Sequence, residues 1–212
     1  MNNDLQRILV LAPHTDDGEW GAGASIARWI GIGHQVWYVA FSAAEESVLT
    51  EFPEDVLRTE VFDATRELGI PVGHVRVLHH RVRYFPRDRQ DILEEMIRLR
   101  KELNPSLVLL PSSHDTHQDH QVISEEGFRA FKRSSILGYD MPWNNRKTDL
   151  TFFQEVDASE LAAKVRAIGA YRSQIFRNPR YEEFIESLAV QRGFQVGCRY
   201  AEAFEVIRWV AH

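Results

Sequence analysis

Three short apolar runs, RILVLA (7–12), QVWYVAF (35–41) and SLVLLPS (106–112), are separated by stretches of helical spacing, and this alternation restricts the fold more than any other feature. The runs are rich in leucine and β-branched residues, and Pro13 stops the first, so each reads as a buried strand. Between them, EWGAGASIARWIGIG reads as a helix whose glycines allow close packing on a sheet, and PEDVLRTEVFDATRELG as an amphipathic helix closed by Gly69. HVRVLH reads as a further strand and RQDILEEMIRLRKELNP as a further helix. Strands alternating with helices of this length imply βαβ units with right-handed crossovers. The predicted fold class is therefore α/β, a Rossmann-like three-layer sandwich with a mostly parallel central sheet and helices on both faces.

The last third is less regular. TFFQEVD reads as a strand, and DASELAAKVRAIGAYRSQ as a helix opened by an Asp157…Glu160 capping box. A further helix near 180–193 and a closing strand within 200–210 complete the expected set. With no repeat or linker composition in sight, residues 1–212 are expected to form a single domain.

Composition narrows the function classes. A net charge of −6 argues against nucleic acid as the main partner. Cys198 is the one cysteine, so neither a disulfide framework nor a cysteine zinc site is available within one chain. No apolar run is long enough for a membrane span, and MNNDLQR lacks a leader's apolar stretch, so a cytoplasmic location is expected.

Against this ordinary background, two polar clusters stand out. His14, Asp16 and Asp17 follow the first strand, and HDTHQDH (114–120) follows SLVLLPS. In an open α/β sheet, sites form outside the carboxyl ends of the strands, so the two clusters emerge on one edge and can meet. Two histidines and one carboxylate with an open position form a common catalytic zinc set. The second carboxylate of the Asp16-Asp17 pair could then serve as general base, and a remaining histidine as general acid. Plainer readings compete: either aspartate could merely cap the helix that follows, and His117 alone could be a loop residue. His114, His117 and His120 are spaced alike, and spacing does not choose among them.

These residues resemble a known family. PHTDDGEWGAGASIA is similar to the AHPDDE-type signature of the LmbE-like (PIG-L) N-deacetylases, and HQDH to their second HxDH motif. RTEVFDATRELGI resembles the family's R-x-x-E helix, and AYRSQ and GCRYAEAFEV its C-terminal landmarks, in the same order along the chain. There are departures: Thr15 stands where the family has proline, and Gly18 precedes Glu19 where the glutamate usually follows the aspartates directly.

The resemblance implies Zn2+ held by His14, Asp17 and His120, with Asp16 as general base. It implies His117 as a protonated partner of the tetrahedral intermediate or leaving amine, Asp119 as the group that orients His117, and Arg58 as a contact to substrate or oxyanion. The implied activity is removal of an acetyl group from an N-acetylated amino sugar of the N-acetylglucosamine type, acting on a small molecule or glycoconjugate. Two other functions use the same residues. An Fe(II) oxygenase could build a two-His-one-carboxylate site from His14-x-Asp16 and His117-x-Asp119, and a metal- or sugar-binding module could lack turnover. The acylated substrate, the native metal and any homo-oligomer are left open. His79-His80 at a strand end, the aromatics Tyr84, Phe85 and Trp143, and MPWNNRKTD (141–149), read as a mobile loop, are candidates to border the site.

Overall fold

The computed structural model describes residues 6–211; residues 1–5, part of the stretch inspected for a leader, and residue 212 lie outside the described residues. The first half alternates as the sequence predicts: β1 (Arg7–His14), α1 (Asp17–Gly31), β2 (Gln35–Ser42), α2 (Val56–Glu67), β3 (Val75–Val77), α3 (Arg89–Leu103), β4 (Leu107–Pro111) and α4 (Gln118–Ala130). Then follow β5 (Ser135–Tyr139), β6 (Leu150–Val156), α5 (Ala158–Gly169), the single turn α6 (Arg172–Ile175), α7 (Tyr181–Val196) and β7 (Tyr200–Arg208). The strands form one sheet in the order β3-β2-β1-β4-β5-β7-β6. The first five run parallel, and β7 pairs antiparallel with both β5 and β6.

Strand β1 shows why its sequence is apolar at every position. Ile8, Val10 and Ala12 point to one face, among Ile26 of α1, Val61 of α2 and Ala167 of α5. Leu9 and Leu11 point to the other, among Met96 of α3 and Ile123 of α4. A parallel strand covered by helices on both faces has no solvent side on which to place a polar residue. Each fully buried Leu or Ile adds about 1.5–3 kcal/mol relative to exposure, which fixes β1 at the centre.

The glycines of α1 admit it to the sheet. A Cβ on Gly18 would meet the Tyr38 ring and one on Gly21 the Tyr139 ring. The helix is broken at Ala22 (φ −147°, ψ 15°). There the Trp20 carbonyl accepts from Lys164 Nζ (2.7 Å), while the N–H groups of Ala24 and Ser25 donate to the Glu202 carboxylate (3.3 and 2.7 Å). Lys164 and Glu202 close the arrangement as a buried ion pair at 2.6 Å. The freed backbone groups are thus satisfied from α5 and β7, a common cause of a kink.

Two expectations change. HVRVLH contributes strand pairing only over Val75–Val77, because the Val77 and Leu78 carbonyls then turn to the Arg58 guanidinium (3.4 and 3.1 Å). The 141–149 segment, read as a mobile loop, is tied to the second polar cluster: Thr116 N–H donates to the Asn144 carbonyl, and Asp115 bridges Asn145. The Asp157 capping box is present as expected. Among the described residues no helix is long and apolar enough to cross a membrane.

Candidate metal centre and active site

The chain winds from β1 outward through β2 to β3, then returns to place β4 on the other side of β1. The crevice at this reversal, at the carboxyl ends of β1 and β4, is where an open α/β sheet binds ligands. His14 is the last residue of β1, and the HDTHQDH stretch leads from β4 into α4. The two clusters do meet.

His14 Nδ1 lies 3.2 Å from Asp17 Oδ2, Asp17 Oδ2 lies 3.3 Å from His120 Nε2, and His120 Nε2 lies 3.4 Å from His14 Nδ1. Three donors at 2.0–2.1 Å from a tetrahedral zinc would stand about 3.3 Å apart, so this triangle fits the ion. Each histidine is backed by a buried carboxylate on its other nitrogen. His14 Nε2 meets Asp119 Oδ2 at 3.0 Å, and His120 Nδ1 meets Asp115 Oδ2 at 2.7 Å. Such backing fixes the tautomer and leaves Nδ1 of His14 and Nε2 of His120 as the free donors. His117 also lies in the group, its ring centroid 5.1 Å from that of His14 and 4.7 Å from that of His120. Its Nδ1, however, accepts the Asp119 N–H at 3.2 Å and caps α4. His114 is turned away, toward Asp149 at 3.0 Å.

The electrostatics distinguish the two adjacent aspartates. Burial opposes charge on Asp17, but His120 and His14 outweigh it and hold its carboxyl well below the usual range. Burial and the neighbouring Asp17 charge push Asp16 up to about 6. Asp16 stands at the N-cap position of α1 without making a side-chain cap bond, and Asp17 instead accepts the His14 N–H at 2.8 Å. Neither aspartate is spent on capping. Burial lowers His14 and His120, yet the Asp17 charge and the bonds to Asp119, Asp115 and Asp17 prevail, raising them to about 9 and about 10. Protons thus sit where a cation would otherwise neutralise the carboxylates.

Three site expectations meet a different geometry. Asp119 does not orient the His117 ring with its carboxylate; that carboxylate holds His14 and accepts the N–H groups of Arg83 (2.6 Å) and Phe85 (3.3 Å). His117 was expected protonated, but burial and the neighbouring His120 and His14 push its pKa down, and its cap bond needs an unprotonated Nδ1. Both favour the neutral ring, in which Nδ1 accepts and Nε2 carries the proton. Arg58 is not among the residues that line the clefts beside this site: its guanidinium is bound to Glu45 (2.7 Å), the Val77 and Leu78 carbonyls and His79 (2.9 Å). His79 and His80 likewise stay outside, His80 stacking on Phe41.

Two clefts adjoin the His14–Asp17–His120 triangle and share Asp16, Gln174 and Arg177. One is walled by Trp20 and Trp143, which meet edge to face with ring centroids 5.4 Å apart. The other runs past His14 and His117 to Arg83. Asp115, Arg83, Gln174 and Arg177 are site residues that the sequence reading missed. Asp115 and Gln174 had a signal, since they lie inside HDTHQDH and AYRSQ, whereas Arg83 and Arg177 are brought in by connections with no motif.

Beneath the site, Glu19 is fully buried and hydrogen-bonded to the hydroxyls of Tyr38 and Tyr171, the latter at 2.7 Å. Both hydroxyls also reach the Thr15 carbonyl (2.8 and 2.6 Å). Burial outweighs these bonds and pushes Glu19 up to about 8. A neutral carboxyl supplies a third proton to the four contacts, where an ionised one would leave only two.

Comparison with known proteins gives the same direction. The family model described as PIG-L, GlcNAc-PI de-N-acetylase, matches residues 9–131. A diacetylchitobiose deacetylase of Thermococcus kodakarensis is 21% identical, with 97% of this chain and 84% of that protein aligned. Among solved structures, the N,N'-diacetylchitobiose deacetylase of Pyrococcus horikoshii superposes with a TM-score of 0.78 at 22% identity, covering 96% of this chain and 84% of that one. GalB of Pseudomonas putida, a 4-carboxy-2-hydroxymuconate hydratase, superposes with a TM-score of 0.79 at 20% identity over 98% of each chain. At these identities the superpositions establish the shared fold.

Proposed function

This chain belongs to the PIG-L (LmbE-like) family, and on that premise we propose that it is a zinc-dependent N-deacetylase of N-acetylglucosamine-type substrates. The observation that carries the reading is the triangle of His14, Asp17 and His120 donors at 3.2–3.4 Å, with each histidine backed by a buried carboxylate. The deacetylase activity for which the two diacetylchitobiose relatives are named supports the substrate class. Residues 1–212 are read as one such domain, acting in the cytoplasm.

Zinc held by His14, Asp17 and His120 would polarise the amide carbonyl and bring a bound water toward neutral pKa. Asp16, raised to about 6, is the general base: it accepts a proton from the attacking water and delivers it toward the amine. The water oxygen bonds to the carbonyl carbon, the C–N bond breaks, and acetate and the free amine leave. His117, neutral with its proton on Nε2, donates a hydrogen bond to the developing oxyanion. Such a preorganised donor contributes about 3–4 kcal/mol of transition-state stabilisation. Asp119 and Asp115 keep His14 and His120 in their tautomers. Trp20 and Trp143 offer apolar faces to a sugar ring.

The Fe(II) oxygenase reading has less support, since Asp17 and not the Asp16 of the His-x-Asp spacing faces the two histidines. The likeness to GalB makes hydration of an unsaturated acid the second reading. Metal analysis paired with acetate release from N-acetylglucosamine derivatives, before and after chelation and zinc return, tests the proposal. About one zinc per chain with chelator-sensitive release is expected, and Asp16→Asn should keep the metal while losing about 100- to 10,000-fold in turnover. An Asp16→Asn protein that hydrolyses at the original rate, or a chain that takes up no zinc, overturns the mechanism.

A further inference from the structure

We infer that the cleft beside His14 and His117 carries an oxyanion subsite built from Arg83 and Arg177, so that the preferred substrate is an N-acylated amino sugar bearing a carboxylate or phosphate. The inference rests on the deacetylase reading above and narrows its substrate class.

Charge accounting around the cleft singles out these two residues. Four arginines surround the turn at 45–47, whose two acids are both engaged elsewhere: Glu45 pairs with Arg58 and Glu46 with Arg81. Arg83 and Arg177 have no carboxylate within ion-pair distance among the described residues, and both line the cleft. Glu46 lies within Coulombic reach of Arg83 and Asp16 lines the same cleft, yet in a chain of net charge −6 two guanidiniums without a direct ion pair on one wall are a local exception. Arg83 Nη2 donates to Ser47 Oγ at 3.0 Å and Arg177 Nη2 to the Ser47 carbonyl at 2.7 Å, so the same residue draws them together. A guanidinium has five N–H donors, so most remain free for a ligand.

The backbone gives an independent reason. Among the described residues only three that are not glycine have positive φ, and two of these, Ala44 (φ 51°) and Arg83 (φ 70°), line this cleft. The third, Asn104, ends a helix, where asparagine is at home. Left-handed backbone at a long side chain is strained and persists where surrounding contacts impose it. Here the contact is the Arg83 N–H, which donates at 2.6 Å to the same Asp119 oxygen that holds His14 at 3.0 Å. Arg83 is thereby placed one hydrogen bond from the carboxylate that supports a metal ligand. A planar fork aimed at carboxylate or phosphate oxygens is what arginine supplies and neutral sugar hydroxyls do not require.

Calorimetry on the zinc-loaded full chain, with deacetylated sugars as ligands to avoid turnover, reads the subsite directly. Glucosamine 1-phosphate, muramic acid and methyl glucosaminide present a phosphate, a carboxylate and no charge. At least one of the charged sugars should bind roughly tenfold or more tighter than the methyl glycoside, and which one does so identifies the anion. Combining Arg83→Ala with Arg177→Ala should bring the ratio close to one, whereas Arg98→Ala, on the outer face of α3, should preserve it. Equal affinities in the unmodified protein, or a preference that survives the double substitution, overturn the subsite. Acetate release from the matching N-acetyl sugars separates the two claims. Release without anionic preference removes the subsite alone, while an arginine-dependent preference without release from any sugar removes the deacetylase reading and retains the subsite.

Discussion

Asp115 Oδ2 accepts from His120 Nδ1 at 2.7 Å, between two side chains that are both buried, and its other oxygen accepts the His117 N–H at 2.8 Å. One carboxylate thus sets the tautomer of one histidine and the backbone of another. Backing carboxylates of this kind are worth about 10- to 100-fold in metal affinity. Asp115→Asn, which keeps an acceptor but loses the charge, should weaken zinc binding toward the lower end of that range. Asp115→Ala should fall at the upper end. Competition with a chromophoric chelator measures both, and zinc affinity unchanged in the alanine variant would refute the role.

Loading the metal should release protons. His14 and His120 are raised to about 9 and about 10 by Asp17, Asp119 and Asp115, so both are protonated at neutral pH. Their donor nitrogens must be free to bind a cation. Between about one and two protons should therefore leave per zinc at pH 7, and affinity should weaken as pH falls and strengthen toward pH 9. Calorimetry in buffers of different ionisation enthalpy gives the number. A release of zero at pH 7 would contradict the electrostatics of the triangle.

The buried Lys164–Glu202 pair, which satisfies the break in α1, gives a third prediction. Lys164→Met leaves Glu202 as an uncompensated charge beneath α1 and should cost about 3–5 kcal/mol in urea denaturation. Lys164→Met combined with Glu202→Gln removes that charge and should recover part of the loss. Additive losses in the double variant would show that the two residues act separately.

The sequence made β1, β2 and β4 legible because strands buried on both faces are apolar throughout, and the hairpin-free alternation left few topologies. It missed β5, since SILGY is short and mixed, and its place in the sheet comes from pairing with β4 and β7. The kink at Ala22 was invisible because the groups that stabilise it lie far along the chain, in α5 and β7. The site divides in the same way. His14, Asp16, Asp17, His117, Asp119 and His120 lie in compact motifs, so the reading assembled them, although Asp119 meets His117 through its N–H and gives its carboxylate to His14. Arg83 and Arg177 stand on connections whose convergence on Ser47 is purely tertiary, and Arg58, although it opens a motif helix, is drawn to the end of β3.

Glu19 supports a prediction whose sign depends on pH. The folded chain raises its carboxyl from 4.5 to about 8, chiefly by burial, so folding takes up a proton wherever the unfolded chain has lost one. The native state is favoured below the unfolded value and loses this contribution as pH rises through that interval. Glu19→Gln is an uncharged near-isostere that still gives Tyr38, Tyr171 and the Thr15 carbonyl a donor and an acceptor. Its stability relative to the unmodified chain should therefore improve by up to roughly 1.4 kcal/mol per pH unit between about pH 5 and 8. Glu19→Ala removes a shared hydrogen-bond partner of two buried tyrosine hydroxyls and leaves a cavity beside them, and should be destabilised by about 2–4 kcal/mol even at low pH. Urea titrations of the three proteins in the same metal state at several pH values provide the comparison. Parallel pH profiles for the unmodified and glutamine proteins would mean that Glu19 is ionised in the fold, and that its tyrosine partners hold a charge rather than a neutral acid.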